Sequence, residues 1–295
     1  MIHDGPPDPI VDARLATQLF LIAPGLFGGN TIRAASPARE AVVSALQDAM
    51  TSIEKPVRRL PGHVDDERLL GGVDIAASLA SGHAVQQRGL LEECAGGAVI
   101  VPMAERLEPA IAGRLAQHSD DHDDAPAMLL LDDGREDDDA PPASLLERTA
   151  FHCDLAASRE WQVAALETAK AALGGVAPLD QAALEALAGT AQALGVASLR
   201  PLIFAGHAAR AHAALEGRKA AEKADLAAAV RLVLAPRATR LPPMEEQPPE
   251  TPEEQPPETP PDQTEEPEDS QKPAPDAPLE EMLVEAAKAP SPADL

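Results

Sequence analysis

Four short apolar runs, at residues 18–23, 98–102, 127–131 and 150–155, alternate with stretches of helical periodicity, and this alternation narrows the possible folds most. Each run is too short for an ordinary helix, so it reads as a buried strand. Such strands, separated by helices, assemble into a parallel sheet with crossover connections. Ser36-Pro37 is a helix start, a side-chain cap followed by proline at the first helical position, with Val42, Val43, Leu46 and Met50 facing inward. After Ser158 only helical patterns remain, at 158–173, 179–193, 198–216 and 222–234, punctuated by Gly174-Gly175, Gly195 and Gly217. The expected organisation is an α/β domain over 1–156 and a helical domain over 157–240. With no Tyr, one Trp and four Phe, the core must be built from Ala, Leu and Val, and Trp161 is expected to anchor the first helix of the second domain.

Beyond Arg240 the material changes. Half of the 30 prolines lie there, and EEQPPETP occurs twice in tandem, at 245–252 and 253–260. Residues 242–295 hold 16 of the 49 acids and 2 of the 24 bases, so the tail carries −14 of the formal charge of −25. A segment that cannot bury apolar surface and repels itself reads as a disordered acidic linker over 241–295. A chain so acidic offers no basic face for phosphate backbones or anionic lipid, which disfavours nucleic acid and membrane roles. No apolar run approaches a membrane span, and MIHDGPPDP does not look like a signal peptide, so a cytoplasmic location is expected. Two cysteines, Cys94 and Cys153, fit a reducing compartment, and Cys153 reads as packed rather than reactive.

If residues 18–23 are the first strand, the glycine-rich APGLFGGN that follows them stands where α/β proteins bind nucleotide phosphates. Gly25, Gly28, Gly29 and Asn30 are then the candidate phosphate-contacting residues. A working P-loop, G-x-x-x-x-G-K-[ST], also needs a lysine on the phosphates, and none follows. The strand in GGAVIVPMAERL should end in an acidic pair that holds Mg²⁺ and orients water. Pro102 and Met103 stand there, and Glu105 comes too late. Joint loss of the lysine and the acidic pair points to a non-hydrolysing relative of an ATPase.

Residues 58–107, with Asp66, Arg68, Leu69, Gly71, Asp74, Leu79, Gly82, Gly89-Leu90-Leu91 and Gly96-Gly97, resemble the AAA+ portion of the magnesium chelatase D subunits and, more distantly, the active I subunits. PPASLLERTAFHCDL (141–155) looks like the family's arginine-finger segment, which places the finger on Arg148. GVASLRPLIFAGHAARAHAALEG (195–217) resembles the sensor 2 helix, whose arginine would be Arg200, a degenerate nucleotide-binding residue on a helix that packs beside the phosphate site in that fold. The likeness covers residues 15–240, and the linker is also a feature of that subunit. The D-x-S-x-S loop of its integrin-like metal-binding domain does not occur in this sequence.

The resemblance implies an AAA+-like parallel sheet with a helical lid. It implies a ring with an I-type ATPase, ATP and Mg²⁺ at the shared interface, and no tightly bound cofactor or resident metal in this chain. It also implies service to a porphyrin-binding H-type subunit that inserts Mg²⁺ into protoporphyrin IX for (bacterio)chlorophyll synthesis. Two other readings stay open: an active ATPase with an unorthodox phosphate loop, and a binding module acting through the acidic tail. His118 and His122 in HSDDHDD have a spacing that could hold a divalent metal on a helix face, although the aspartate run reads as a solvated loop. Asp132-Asp133 and residues 136–139 read as an exposed loop tip.

Overall fold

In a computed structural model of the chain, residues 8–136, 139–160, 162–163, 166 and 173–240 are described. Trp161, most of the expected 158–173 helix and the acidic tail lie outside them. In chain order the strands are β1 (Gly29–Arg33), β2 (Val57–Arg59), β3 (Gly71–Asp74), β4 (Val85–Arg88), β5 (Ala98–Val101), β6 (Ala127–Asp132) and β7 (Phe151–Asp154). The α-helices are α1 (Pro9–Ile22), α2 (Pro24–Phe27), α3 (Pro37–Ser52), α4 (Asp66–Leu70), α5 (Ile75–Ser81), α6 (Leu90–Glu93), α7 (Pro109–Asp121), α8 (Ala143–Leu146), α9 (Gln181–Ala193), α10 (Leu199–Leu215) and α11 (Lys223–Ala229).

Five strands form a parallel sheet in the order β2-β5-β6-β1-β7, while β3 and β4 make a separate antiparallel ribbon around α5. Side chains alternate across the main sheet as the pleat requires. Ala98, Ile100, Ala127, Leu129 and Leu131 join the layer formed with α1, α3 and the later helices. Val99, Val101, Met128 and Leu130 face the opposite layer, with Leu90 and Leu91 of α6 and Ile111 and Leu115 of α7. The expected strands at 98–102, 127–131 and 150–155 are therefore present; the first two are buried throughout, whereas β7, at the sheet edge, buries Phe151 and exposes Asp154. The helices expected at 179–193, 198–216 and 222–234 correspond to α9, α10 and α11, the last continuing through a π turn, Val230–Leu234. Phe204, Ala205 and Ala208 of α10 share one apolar cluster with Leu19, Phe20 and Leu46, so the helical part packs directly on the sheet layer.

The first expected strand is a helix. Asp8 caps α1 by accepting from the Ile10 N–H at 3.0 Å, and Pro9 takes the first helical position. Buried residues then recur at Ile10, Ala13, Ala16 and Phe20, which is helical spacing running straight into residues 18–22. A short apolar run at a helix end has the same composition as a buried strand, and only the upstream spacing separates the two. The acid runs are also corrected. His118 to Asp121 form the last turn of α7 rather than a loop, and Asp132 ends β6 buried in the sheet rather than at an exposed tip. Ser158 to Glu160, at the start of the expected 158–173 helix, are not helical. Among the described residues no helix is long and apolar enough to cross a membrane.

Candidate functional site

Because β1 starts at Gly29, the glycine-rich stretch precedes the strand instead of following it. Ligands in open α/β sheets sit beyond the carboxyl ends of the strands. Gly25, Gly28, Gly29 and Asn30 stand at the opposite end of β1 and do not form a phosphate cradle. Gly25 lies in α2 with open space around it. Gly29 permits a close approach to β6, since a β-carbon there would sit 1.8 Å from the Met128 carbonyl oxygen. Asn30 is buried in the sheet, and neither atom of its side-chain amide has a hydrogen-bond partner. Gly28 has φ +63°, and a β-carbon there would meet the Arg148 carbonyl oxygen at 2.1 Å. Its absent side chain lets the turn before β1 pack against the Arg148 segment, where Ala150 N–H donates to Phe27 O at 2.9 Å and to Gly29 O at 3.0 Å.

At the carboxyl end of β1, only Ala34, Ala35 and Ser36 separate the strand from α3. The eight-residue phosphate-binding motif has no room to wrap an anion across three residues. Pro37 at the first helical position has no N–H to offer, and the Ser36 hydroxyl accepts from the Arg39 N–H at 3.3 Å. The helix terminus is thus capped by the chain itself.

The adjoining space holds the chain's own charges. Buried Arg39 donates from Nη1 to the Asp132 carbonyl at 3.1 Å and to the Asp133 carboxylate at 2.5 Å. Arg33 donates to Glu136 O at 2.6 Å and lies 3.6 Å from the Asp132 carboxylate. Glu105 accepts from the Asp133 N–H at 3.0 Å. Burial pushes the Asp132 carboxyl above the usual 3.8, and the nearby Glu105 and Asp133 charges push the same way, against the Gly134 N–H and Arg33. The charges lining this place are thus paired with one another, Asp132 with Arg33, Asp133 with Arg39, and Glu105 with the Asp133 N–H. Met103, at the end of β5, is held at φ +47° and is exposed. The connection before α3 has neither the lysine nor the length of a phosphate-binding loop.

The two arginines singled out by the resemblance do come together. Arg148, after α8, donates from Nε to Asp120 Oδ1 at 3.1 Å and from Nη2 to Asp120 Oδ2. Arg200, in the first turn of α10, reaches Asp120 Oδ1 from Nη1 at 3.2 Å and from Nη2 at 3.3 Å. Hydrogen bonding from Arg148 is the main cause that holds the Asp120 carboxyl below its usual 3.8, with the Arg148 charge and then Arg200 adding to it against burial.

Ser198, the N-cap of α10, ties this helix to α8 by donating to Glu147. Three helices that are distant in sequence thus present two guanidinium groups on one carboxylate. That combination carries a net positive charge at a surface edge, beside the exposed Leu199 and Ile203 of α10. Asp120, Ser198 and Glu147 were not identified from the sequence, because a partner's identity depends on which helix ends meet. His118 and His122 stack with ring centroids 4.1 Å apart, and among the described residues no cluster of three or more His, Cys, Asp or Glu has metal-binding geometry. Cys153 packs on the first core cluster, and burial pushes its thiol up to about 12.

Comparisons with known proteins agree with this architecture. The AAA lid domain family matches residues 184–259. The chain is 40% identical over 300 residues to the magnesium-chelatase 60 kDa subunit of Cereibacter sphaeroides, a match covering 98% of this chain and 51% of that subunit. It is 34% identical over 244 residues to the magnesium-chelatase 60 kDa subunit of Rhodobacter capsulatus, covering 80% of this chain and 42% of that one. The chain therefore spans about half the length of the curated relatives it matches. A crystal structure of a candidate ATPase from Cytophaga hutchinsonii superposes with a TM-score of 0.54 at 14% identity, covering 77% of this chain and 84% of that one. The chain has the AAA+ fold, a parallel sheet followed by a helical lid.

Proposed function

We propose, with the likeness to the magnesium-chelatase 60 kDa subunits as the premise, that this chain is a non-hydrolysing AAA+ platform. On this reading it docks beside an I-type AAA+ ATPase subunit and lends Arg148 and Arg200 to the nucleotide of that neighbour. The assembly would couple ATP turnover to insertion of Mg²⁺ into protoporphyrin IX by a porphyrin-binding H-type subunit. The observation that carries the reading is the convergence of Arg148 and Arg200 on Asp120, combined with a crevice of the chain's own that is filled by Arg39, Asp132, Asp133 and Glu105. A subunit without a usable site of its own can still stabilise the charge developing on a phosphoryl group held next door. Asp120 keeps both guanidinium groups aimed and partly neutralised until a more highly charged anion competes for them. ATP and Mg²⁺ then belong to the interface and are contributed by the neighbour.

Two measurements test this. The purified chain should show no micromolar binding of Mg·ATP by calorimetry and no turnover of its own. In the complex with the ATPase subunit, Arg148→Ala should lower turnover by about 10³-fold. Robust hydrolysis by the isolated chain, or unchanged turnover in the R148A complex, overturns the proposal.

A further inference from the structure

We propose that Arg237, in the last turn of the lid, is a positioning residue for Arg148. The inference rests on the reading of Arg148 as a residue acting on a neighbour's nucleotide, and it names what holds that residue in place. Arg237 closes the short 3-10 turn Ala235–Arg237 after the π turn. Its Nη1 donates to Ala150 O at 2.9 Å and to Val233 O at 2.7 Å, and its Nη2 donates to Thr149 O and reaches Leu146 O at 3.5 Å. Three of these four carbonyls belong to residues 146–150, on both sides of Arg148. The same Nη2 lies 2.9 Å from His152 Nε2.

The surroundings make this fork specific. His152 is half-buried, and burial and then the Arg237 charge push its imidazole down to about 3; its Nε2 also lies 3.2 Å from the Leu146 carbonyl oxygen. The Thr149 hydroxyl lies 3.1 Å from the same His152 nitrogen and 3.0 Å from the Thr31 hydroxyl of β1, which links the loop to the central strand. Burial also pushes the Arg237 guanidinium down to about 10, with the Glu147 charge opposing the shift. A half-buried cation spread over backbone carbonyls is worth keeping where several acceptors must be held in one fixed relation. The planar guanidinium does this through a rigid set of donors, and a lysine ammonium has neither the fork nor the reach. The loop carrying Arg148 is thereby attached to the lid as well as to the sheet, so its geometry depends on where the lid sits.

The test uses the full chain in complex with the AAA+ ATPase subunit and reads kcat, KM for ATP, complex mass and thermal unfolding. Arg237→Lys should lower kcat by about 10- to 100-fold, the effect of misplacing a group by an ångström or so, with KM and complex mass unchanged. In the Arg148→Ala background the same substitution should cause no further loss, because a residue that acts only through Arg148 has nothing left to position. His152→Gln disturbs one neighbour of the fork without altering the cation, and it should show the same non-additivity if R237K proves too unstable to assemble. Losses that multiply with R148A, or an unaltered kcat in well-folded R237K, overturn the positioning role while R148A alone still reports the finger. If R148A itself leaves turnover unchanged, the finger reading fails first and this inference falls with it.

Discussion

Gly28 sits against the carbonyl oxygen of Arg148, so closely that a β-carbon on the glycine would come within 2.1 Å of it. The contact is with backbone and cannot be relieved by turning a side chain. Gly28→Ala should therefore cost at least about 2 kcal/mol, combining the left-handed φ with the clash. A urea melt of the isolated chain reads the loss, and ATPase turnover of the mixed complex should fall with it because the Arg148 loop must shift. A midpoint equal to that of the parent would show that the contact relaxes freely.

Asn30 places a side-chain amide in the sheet with both polar atoms unpartnered, beside a void lined by Phe20, Leu46, Ala98, Met128 and Leu129 that is too small for a water. Leaving a buried amide unsatisfied costs about 1–3 kcal/mol. Asn30→Val removes the polar atoms and suits a parallel strand, so thermal unfolding should shift upward by the equivalent of about 1 kcal/mol or more. A lower melting temperature would mean that the amide is satisfied within the fold or that the valine packs worse than it.

Ala34 holds φ +76° in the three-residue connection between β1 and α3. A non-glycine residue there bears about 1–2 kcal/mol of steric cost, against about 0.5–1 kcal/mol of extra entropy lost by glycine. Ala34→Gly should raise stability by up to about 1 kcal/mol. It should not restore nucleotide binding, since Pro37 still lacks an N–H and the acids remain. Calorimetry with Mg·ATP checks the second half of the statement, and measurable binding by A34G would contradict the account of the crevice.

Asp120 has its carboxyl held below 3.8 by Arg148 and Arg200. A depressed carboxylate stabilises the fold above its unfolded pKa, and that contribution is lost as pH falls through the folded value. The stability gap between parent and Asp120→Asn should be present at neutral pH and close below pH 3.8. Because the carboxylate is partly exposed, the gap should be small and shrink with added salt. Parallel thermal melts across this range test it, and a gap that persists in strong acid would assign the effect to packing rather than charge.

Strands β5, β6 and β7 and helices α3, α9 and α10 were legible because each carries its own period, cap or glycine stop. Residues 18–22 read as a first strand because they are as apolar as one, while β1 itself begins GNT, which does not look like a strand. With β1 at 29–33, Gly25 and Gly28 precede the strand and Gly29 and Asn30 begin it, so none of them lies at its carboxyl end. Strands β2, β3 and β4 lie at an edge or in the ribbon, are half-exposed, and leave little apolar pattern to read. Arg148 and Arg200 were singled out through the family likeness, whereas Asp120 and Arg237 carry no local signature.

The alternation of apolar runs with helices, the Ser36-Pro37 helix start and the missing phosphate lysine are properties of neighbouring residues, so the linear chain was enough to establish them. Which end of β1 faces the crevice, the meeting of two arginines on Asp120 and the grip of Arg237 on the Arg148 loop depend on residues far apart in the chain. Those contacts exist only once the sheet and lid are packed together, because burial and the pairing of carbonyls and charges select among partners that local sequence leaves equivalent.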